Sequence, residues 1–217
     1  MTPEQFVQDL DRDVSAALDG IGSASAAAQP GPAMSVVALL KLALKNELEA
    51  AEEAAIWLAS ERDVHVKLAL ARQCGDEAKH YRLIEARLRE LGADTGGFDP
   101  LAQGYSPIFD YLRSLETTAE RLAAGPFARE ALAKTRNEVF IEWCERQGDL
   151  DTARLYREVV QPDEAYHHEL GRRLLPRFVQ GEADQARARK AARHVLSLAE
   201  ELQEVARLKG LCRLPGC

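Results

Sequence analysis

The sequence predicts an all-α protein organised as a single domain. Of its 217 residues 46% are hydrophobic, mostly Leu and Ala, while aromatic residues make up only 6%. Glu, Arg and Lys are frequent, runs of β-branched residues are few, and no stretch has the pattern of a strand. Apolar residues instead recur at helical spacing along most of the chain. A chain of this length can bury one core without dividing into two domains.

Charge and composition narrow the possible partners and location. The formal net charge of -7 argues against a generally basic surface that coats nucleic acid. A tRNA partner remains possible, but the net charge does not support it. The residues from Met1 to Val14 are acidic and lack the apolar region of a signal peptide, and no apolar run is long enough to span a membrane. We therefore expect a cytoplasmic protein without membrane contact. Its four Cys do not form a disulfide framework, which suits that compartment. We expect it to be a monomer or a homodimer.

The N-terminal region predicts a short amphipathic helix over residues 1–20. Its apolar residues Phe6, Leu10, Val14 and Leu18 share one face, and Gly20 is the expected end. Residues 21–32 are rich in Gly, Ser, Ala and Pro, which is typical of a flexible linker. Three roles are open for the first helix: a movable flap, an arm that binds a partner, and a surface strut.

The next region predicts an antiparallel helical hairpin. The helices run from about Ala33 to Ser60 and from about Val64 to Leu91, with the turn near Arg62 and Gly92 as the residue that ends the second helix. Glu47 lies on the apolar stripe of the first helix, where an unpaired carboxylate is costly. Three other acids of this helix lie elsewhere around it and are interpreted as a solvated face: Glu49, Glu52 and Glu53.

The second helix of this hairpin carries Glu77 and His80, three positions apart and therefore on one face. Glu47 precedes Arg62 by the same number of positions as Glu77 follows it, so the hairpin is expected to bring Glu47 level with the Glu-x-x-His motif. One metal ion can be reached by a carboxylate and an imidazole at this spacing.

A crossover without helical pattern follows from Gly92 to Pro107. Helix is expected to resume with Ser106 as N-cap and Pro107 in the first turn, and Gly125-Pro126 is expected to kink or break it.

A second hairpin repeats the plan of the first. Its helices start near Phe127 and near Asp151, with Asp151 or Thr152 as the cap after the turn at 148–151. Glu138, on the helix before this turn, is the predicted counterpart of Glu47. Glu164 and His167 form the second Glu-x-x-His motif, and Glu164 follows Leu150 by nearly the same distance as Glu138 precedes it. Pro162 has two interpretations: a bend or π-type irregularity beside the motif, or the start of a new helix.

The chain ends with a predicted amphipathic helix over residues 181–209, which either covers the bundle or makes a dimer contact. The tail, residues 210–217, contains Cys212 and Cys217, and its plain interpretation is disorder, with a redox-active pair as the alternative. The bundle itself is expected to span residues 33–180.

Four helices that bear Glu47, Glu77-x-x-His80, Glu138 and Glu164-x-x-His167 resemble the ferritin-like di-iron carboxylate superfamily. The segment Val-Val-Gln-Pro-Asp-Glu-Ala-Tyr-His is similar to its tRNA-hydroxylase-like and aldehyde-deformylating branches. The resemblance implies a ferritin-like four-helix bundle with two Fe ions, or two Mn ions, at its centre. It further implies that O₂ oxidises an organic substrate, a small molecule or nucleoside, with electrons from a separate donor, as in a hydroxylase.

Several alternatives remain open within this hypothesis. In the implied site Glu77 and Glu164 bridge the ions, but Glu142 shares the face of Glu138, and His168 follows His167, so either can replace its neighbour as a ligand. Asp76 and Asp163 precede the two motifs and either orient the ligands or face solvent. The competing functions are a ferroxidase that handles iron and a metal-free helical interaction module.

Overall fold

The computed structural model describes residues 1–27, 34–209, 211 and 214–216, and this part of the chain is helical without a β-strand. The helices are, in chain order, α1 Pro3–Ala27, α2 Val36–Ser60, α3 Val64–Glu90, α4 Pro107–Arg113, α5 Thr118–Leu122, α6 Glu130–Arg146, α7 Leu150–Leu155, α8 Gln161–Leu174 and α9 Glu182–Leu208. π-Helical segments join α5 to α6 (Ala123–Arg129) and α7 to α8 (Tyr156–Val160), and a 3₁₀ turn, Leu175–Phe178, follows α8. No described helix is long and apolar enough to cross a membrane.

The first hairpin forms as predicted, with α2 and α3 packed along their length. Ser35 caps α2 by accepting a hydrogen bond from the Ala38 N–H at 3.1 Å, and Asp63 caps α3 by accepting from His65 and Val66. Gly92 follows α3 with a positive φ of 75°, the conformation expected of a glycine that ends a helix. The turn at 61–63 therefore sets the register between Glu47 and Glu77.

The second hairpin consists of two longer composite helices. One runs from α5 through the first π segment to α6, and the other runs from α7 through the second π segment to α8. Gly148, with a φ of 80°, makes the turn between them. The cap of α7 is Asp149, whose carboxylate accepts from the Thr152 N–H at 3.1 Å, so the prediction of Asp151 or Thr152 as the cap is wrong.

Both predicted helix irregularities are π-helical. Pro126 lies inside the first π segment, and helix continues on both sides of it. Of the two predicted effects of Gly125-Pro126, a kink or a break, the helix therefore shows no break. The break falls earlier, between Arg113 and Thr118, after Ser106 and Pro107 have started α4 as predicted. Pro162 follows the second π segment within a continuous helix, which favours the irregularity over a new helix start.

The N-terminal helix is part of the core. It continues past Gly20 to Ala27, so the predicted linker over 21–32 is wrong for its first part, 21–27. The rest of that linker, 28–32, lies outside the described residues. Six apolar side chains of α1 are buried: Phe6, Val7, Leu10, Val14, Leu18 and Ile21. α1 packs against α9, and α9 packs against α5 and the first π segment, so α9 covers the bundle as one alternative predicted.

Two apolar clusters fill the core, one at each end of the hairpins. The first includes Trp57 and Leu70 and extends to α1 and α9. The second includes Leu40, Ile84 and Phe140. Between these clusters, α2, α3, α6 and α8 each contribute buried polar residues, so a polar layer crosses the middle of the core.

Candidate metal centre

Six acidic and imidazole side chains meet in this polar layer. One group consists of Glu47, Glu77, His80 and Glu164, and the other of Glu77, Glu130, Glu164 and His167. Within each group the potential ligand atoms all lie within 4.8 Å of one another, and the groups share Glu77 and Glu164. The arrangement can therefore hold a metal ion in each group, with two carboxylates common to both.

All six side chains are removed from solvent. The most exposed of them, Glu47, has 6% of its surface accessible, and both imidazoles have 0%. Glu47 comes from α2, Glu77 and His80 from α3, Glu130 from the start of α6, and Glu164 and His167 from α8. The four helices thus bring these six side chains together between the two apolar clusters.

Five of these residues were predicted from the sequence, and the sixth corrects the prediction. Glu138, expected as the counterpart of Glu47, is exposed on α6, and so is its alternative Glu142. Glu130 takes the position instead, because it lies on the buried face of α6, about two helical turns earlier.

His168, the alternative to His167, lies outside the cluster. Its Nδ1–H donates to the Phe127 carbonyl oxygen at 2.8 Å, and its Nε2 faces Asp11 at 3.9 Å. Burial is the main cause that lowers its pKa. The structure therefore assigns His168 to packing between α8 and the first π segment.

Each imidazole turns Nδ1 toward the cluster. His80 Nδ1 lies 3.1 Å from Glu77 and 3.3 Å from Glu47. His167 Nδ1 lies 3.4 Å from Glu77 and 3.7 Å from Glu130, without the alignment of a hydrogen bond. Nδ1 is therefore the atom that each histidine offers to a metal ion.

Three polar atoms that face this centre are buried without a hydrogen-bond partner among the described residues: Glu77 Oε1, Glu164 Oε2 and His167 Nδ1. Buried polar atoms usually have a partner, because leaving one without costs about 1–3 kcal/mol. Two carboxylate oxygens and an imidazole nitrogen are the donor types that divalent iron and manganese accept. The residues present thus fit a metal centre.

The other nitrogen of each imidazole is held by an aspartate of the opposite motif. His80 Nε2 lies 3.1 Å from Asp163 on α8, and His167 Nε2 lies 3.2 Å from Asp76 on α3. The Lys79 ammonium contacts both aspartates, at 2.5 Å from Asp163 and 3.6 Å from Asp76. The sequence left two roles open for Asp76 and Asp163, and these contacts favour the one in which they orient the imidazoles over exposure to solvent. We call Asp76 and Asp163 the crossed aspartates.

Bound protons offset part of the negative charge of the carboxylates in this cluster. Burial alone would lower the pKa of both imidazoles, but the surrounding carboxylates raise it, for His80 to about 11 and for His167 to about 10. Burial raises the pKa of Glu47 to about 7, and burial together with Glu130 and Glu77 raises the pKa of Glu164 well above its usual value. Burial also acts to raise the pKa of Glu77, but the close approach of the His167 and His80 imidazoles outweighs it and lowers the pKa.

Two acids interpreted as part of a solvated face are buried. Glu49, 3% exposed, accepts hydrogen bonds from the Ser106 N–H and hydroxyl at 2.7 and 2.6 Å. Glu53, 2% exposed, pairs with Arg129 at 3.0 Å, and burial raises its pKa to about 8. These partners come from the crossover and from the second hairpin, so the helical wheel of α2 could not predict the burial.

The cluster borders a cavity of about 10 Å³, the space of a single water molecule. Its wall includes Glu47, Glu77, Glu130 and Glu164, together with Asn46, Ala50, Arg129, Ala133 and Gly216. Among the described residues of this wall, Gly216 alone lies outside the helices and π segments. The tail thus forms part of the wall beside the cluster.

Comparison with known proteins gives no match to a protein-family model, a curated protein or a solved structure. The functional interpretation therefore depends on the geometry of the described residues.

Proposed function

We propose that this protein binds two iron or manganese ions in the six-residue centre and is an O₂-dependent oxidoreductase that acts on an organic substrate. The observation that carries the proposal is the overlap of two four-residue ligand groups through Glu77 and Glu164. In the same proposal, α2, α3, α6 and α8 are the four helices of a ferritin-like bundle. The repeated hairpin plan, with one glutamate facing a Glu-x-x-His motif in each, supports that assignment.

The ligand types favour iron or manganese. Zinc sites usually have four or fewer ligands and are richer in Cys or His, whereas this centre offers four carboxylates and two imidazoles. Four ionised glutamates balance the charge of two divalent ions, so a cluster that repels itself when ionised becomes neutral on metal binding. In this proposal Glu47 and His80 would hold one ion, Glu130 and His167 would hold the other, and Glu77 and Glu164 would be shared between them.

The chemistry that such a metal pair supplies, when bound, is reduction of O₂ with electrons from a separate donor. The chain's own contribution is to hold and shield the pair. The crossed aspartates accept from the Nε2–H groups, which fixes the tautomer in which Nδ1 is free for the metal. The two apolar clusters flank the polar layer at both ends and would keep water away from a reaction at the centre.

Two glutamates of the same helix provide the test. We expect Glu130→Ala to reduce the metal content of the purified protein from two ions per chain to one or none, because it removes a ligand. Glu138→Ala is the matched control and should retain two ions, since Glu138 is exposed. Elemental analysis gives the stoichiometry, and O₂ consumption on addition of a chemical reductant should fall at least tenfold only in Glu130→Ala. Wild-type protein reconstituted anaerobically with iron or manganese that retains fewer than two ions would refute the proposal.

A further inference from the structure

The tail segment Leu214–Gly216 packs into the wall of the metal centre. Leu214 is 4% exposed and belongs to the apolar cluster that contains Leu40 and Phe140. Two positions later, Gly216 lines the cavity beside the carboxylates. The tail thus occupies space that a substrate would need in order to approach the ligands.

One peptide group of this segment is held on both sides by asparagine side chains. Asn46 Nδ2 donates a hydrogen bond to the Pro215 carbonyl oxygen at 3.0 Å. The Gly216 N–H donates to Asn137 Oδ1 at 2.8 Å. Because the carbonyl and the N–H belong to the same peptide bond, Asn46 and Asn137 together bind one secondary amide. We call this pair the amide clamp.

The amide clamp is built into the helices that carry the ligands. Asn46 immediately precedes Glu47 on α2, and Asn137 follows Glu130 by about two helical turns on α6. The two asparagines are 5% and 1% exposed. Buried amide groups need partners, and these contacts with the tail provide them.

Gly216 fits the clamp closely. Its φ is +70°, a conformation that other residues adopt at a cost, and a Cβ here would lie 3.2 Å from Asn46 Nδ2. A larger residue at this position would therefore press on the donor of the clamp. Gly216 forms the part of the cavity wall that belongs to no helix or π segment among the described residues, so its removal would enlarge the cavity on that side.

We propose that the amide clamp is a substrate-binding site for a secondary amide, and that the Pro215–Gly216 peptide group occupies it as a tethered competitor. This inference rests on the proposed function for the reaction at the adjacent centre. The cavity of about 10 Å³ has room for no more than a water molecule while the tail is in place, and displacement of the tail is the way for an organic substrate to enter it in this proposal. Displacement exposes one donor and one acceptor at the spacing of an amide, and these atoms select a substrate with that group.

The test releases the tail in the full-length protein. Leu214→Glu places a charge in the apolar cluster and should expel the segment, whereas Leu211→Glu, at an exposed position of the same tail, is the matched control. The probe is the blocked tripeptide acetyl-Leu-Pro-Gly-amide, titrated calorimetrically into metal-free protein. We expect Leu214→Glu to bind it at least tenfold more tightly than the wild type and Leu211→Glu do.

Two further measurements check that the clamp recognises the amide. A probe with sarcosine in place of glycine lacks the N–H that Asn137 accepts and should bind the released variant about tenfold more weakly. Asn137→Leu in the Leu214→Glu background should weaken binding of the original probe by a similar factor. If the released variant binds both probes equally, recognition of the amide is refuted.

A second variant guards against misfolding. Gly216→Val strains the backbone and crowds Asn46 without changing the apolar cluster, so it should also release the tail. If either folded variant, judged by near-ultraviolet circular dichroism, fails to bind the probe more tightly than the wild type, the tail is a structural strap and the inference is wrong. The number of ions that each variant retains after separate anaerobic reconstitution with iron or manganese distinguishes the two proposals. Two retained ions without probe binding refutes only the clamp, and probe binding with fewer than two retained ions refutes only the proposed function.

Discussion

The imidazole of His80 has distinct partners at its two nitrogen atoms. Nδ1 faces Glu47 and Glu77, and Nε2 faces Asp163, which also contacts Lys79. An aspartate in this position fixes the orientation of the ring and makes Nδ1 a stronger donor to metal. In the proposed metal centre, Asp163 would therefore contribute to metal affinity without binding the ion.

We expect Asp163→Ala to weaken metal binding about 10–100-fold, because His80 loses the partner that orients it. The effect should appear in competitive titration of metal against a chelator, with two ions still bound at saturation. Asp110→Ala, at a side chain that is 53% exposed and pairs with Arg113, is the control and should leave the affinity unchanged. An unchanged affinity in Asp163→Ala would assign Asp163 to the surface ion pair with Lys79 alone.

The sequence predicts most of the centre but misplaces one ligand, for a reason of register. Counted from Leu150, Glu138 and Glu164 are nearly equally far from the turn, which made them appear level. The turn is at Gly148, and counted from there Glu164 is matched by Glu130, whereas Glu138 is too close. Moving the turn back by two positions shortens the count to residues before the turn by two and lengthens the count to residues after it by two. The position level with Glu164 therefore shifts by about one helical turn along α6. Locating Asp149 as the cap would have indicated Glu130.

At the scale of elements, α8 and the first π segment approach each other closely at Gly171. A Cβ on Gly171 would lie 2.8 Å from the Phe127 nitrogen and 2.9 Å from the Pro126 carbonyl carbon, both of them backbone atoms. A Cβ on Gly125 would likewise lie only 2.6 Å from a ring carbon of Trp57. The π segment that precedes Glu130 is thus fixed between helices, and its position determines where Glu130 enters the centre.

We expect Gly171→Ala to lower the free energy of unfolding by about 1–3 kcal/mol, because backbone must move to admit the methyl group. Gly20→Ala is the matched control: it is also a helical glycine, but nothing lies within 4 Å of its Cβ position. Its free energy of unfolding should rise by about 1 kcal/mol from helix propensity. Urea denaturation measures both variants, and a neutral Gly171→Ala would show that the helices separate at little cost.

Local signals predicted the hairpin of α2 and α3 and the N-cap of α4, because capping residues and apolar periodicity act within a few positions. They could not predict that α1 belongs to the core. Its apolar face is covered by α9, from the other end of the chain, and nothing within α1 identifies that partner. The same limit explains Glu53, whose partner Arg129 lies in the other hairpin. Burial by distant segments is a tertiary property.

At the scale of the whole molecule, metal-free and metal-loaded protein should respond to pH in opposite directions. In the metal-free state His80 and His167 keep their protons up to pKa values of about 11 and 10, whereas the unfolded chain loses them near 6.5. Their stabilisation is complete below pH 6.5 and is lost as the pH rises through the folded values. Glu53, with a pKa of about 8, acts in the same direction between about pH 4.5 and 8. Metal binding, in contrast, requires deprotonated ligands.

We expect the melting temperature of metal-free protein to fall steadily from pH 6.5 to 9, since each retained proton contributes about 1.4 kcal/mol per pH unit. The melting temperature of metal-loaded protein should instead rise between pH 6 and 7.5 at fixed metal concentration. Scanning calorimetry of both forms in matched buffers gives the two slopes. A metal-free melting temperature that is constant or rising would contradict the protonated cluster.

The crossed aspartates have a consequence for how the two proposed ions would bind. Asp76 comes from the helix of one histidine and orients the histidine on the other helix, and Asp163 does the reverse. An ion that orders His80 therefore also restrains α8, and an ion that orders His167 restrains α3. In the proposed centre the first ion would therefore supply much of the ordering that the second ion needs, and we expect occupancy to follow a sigmoidal curve with a Hill coefficient approaching two. Neither hairpin can assemble half of the centre alone.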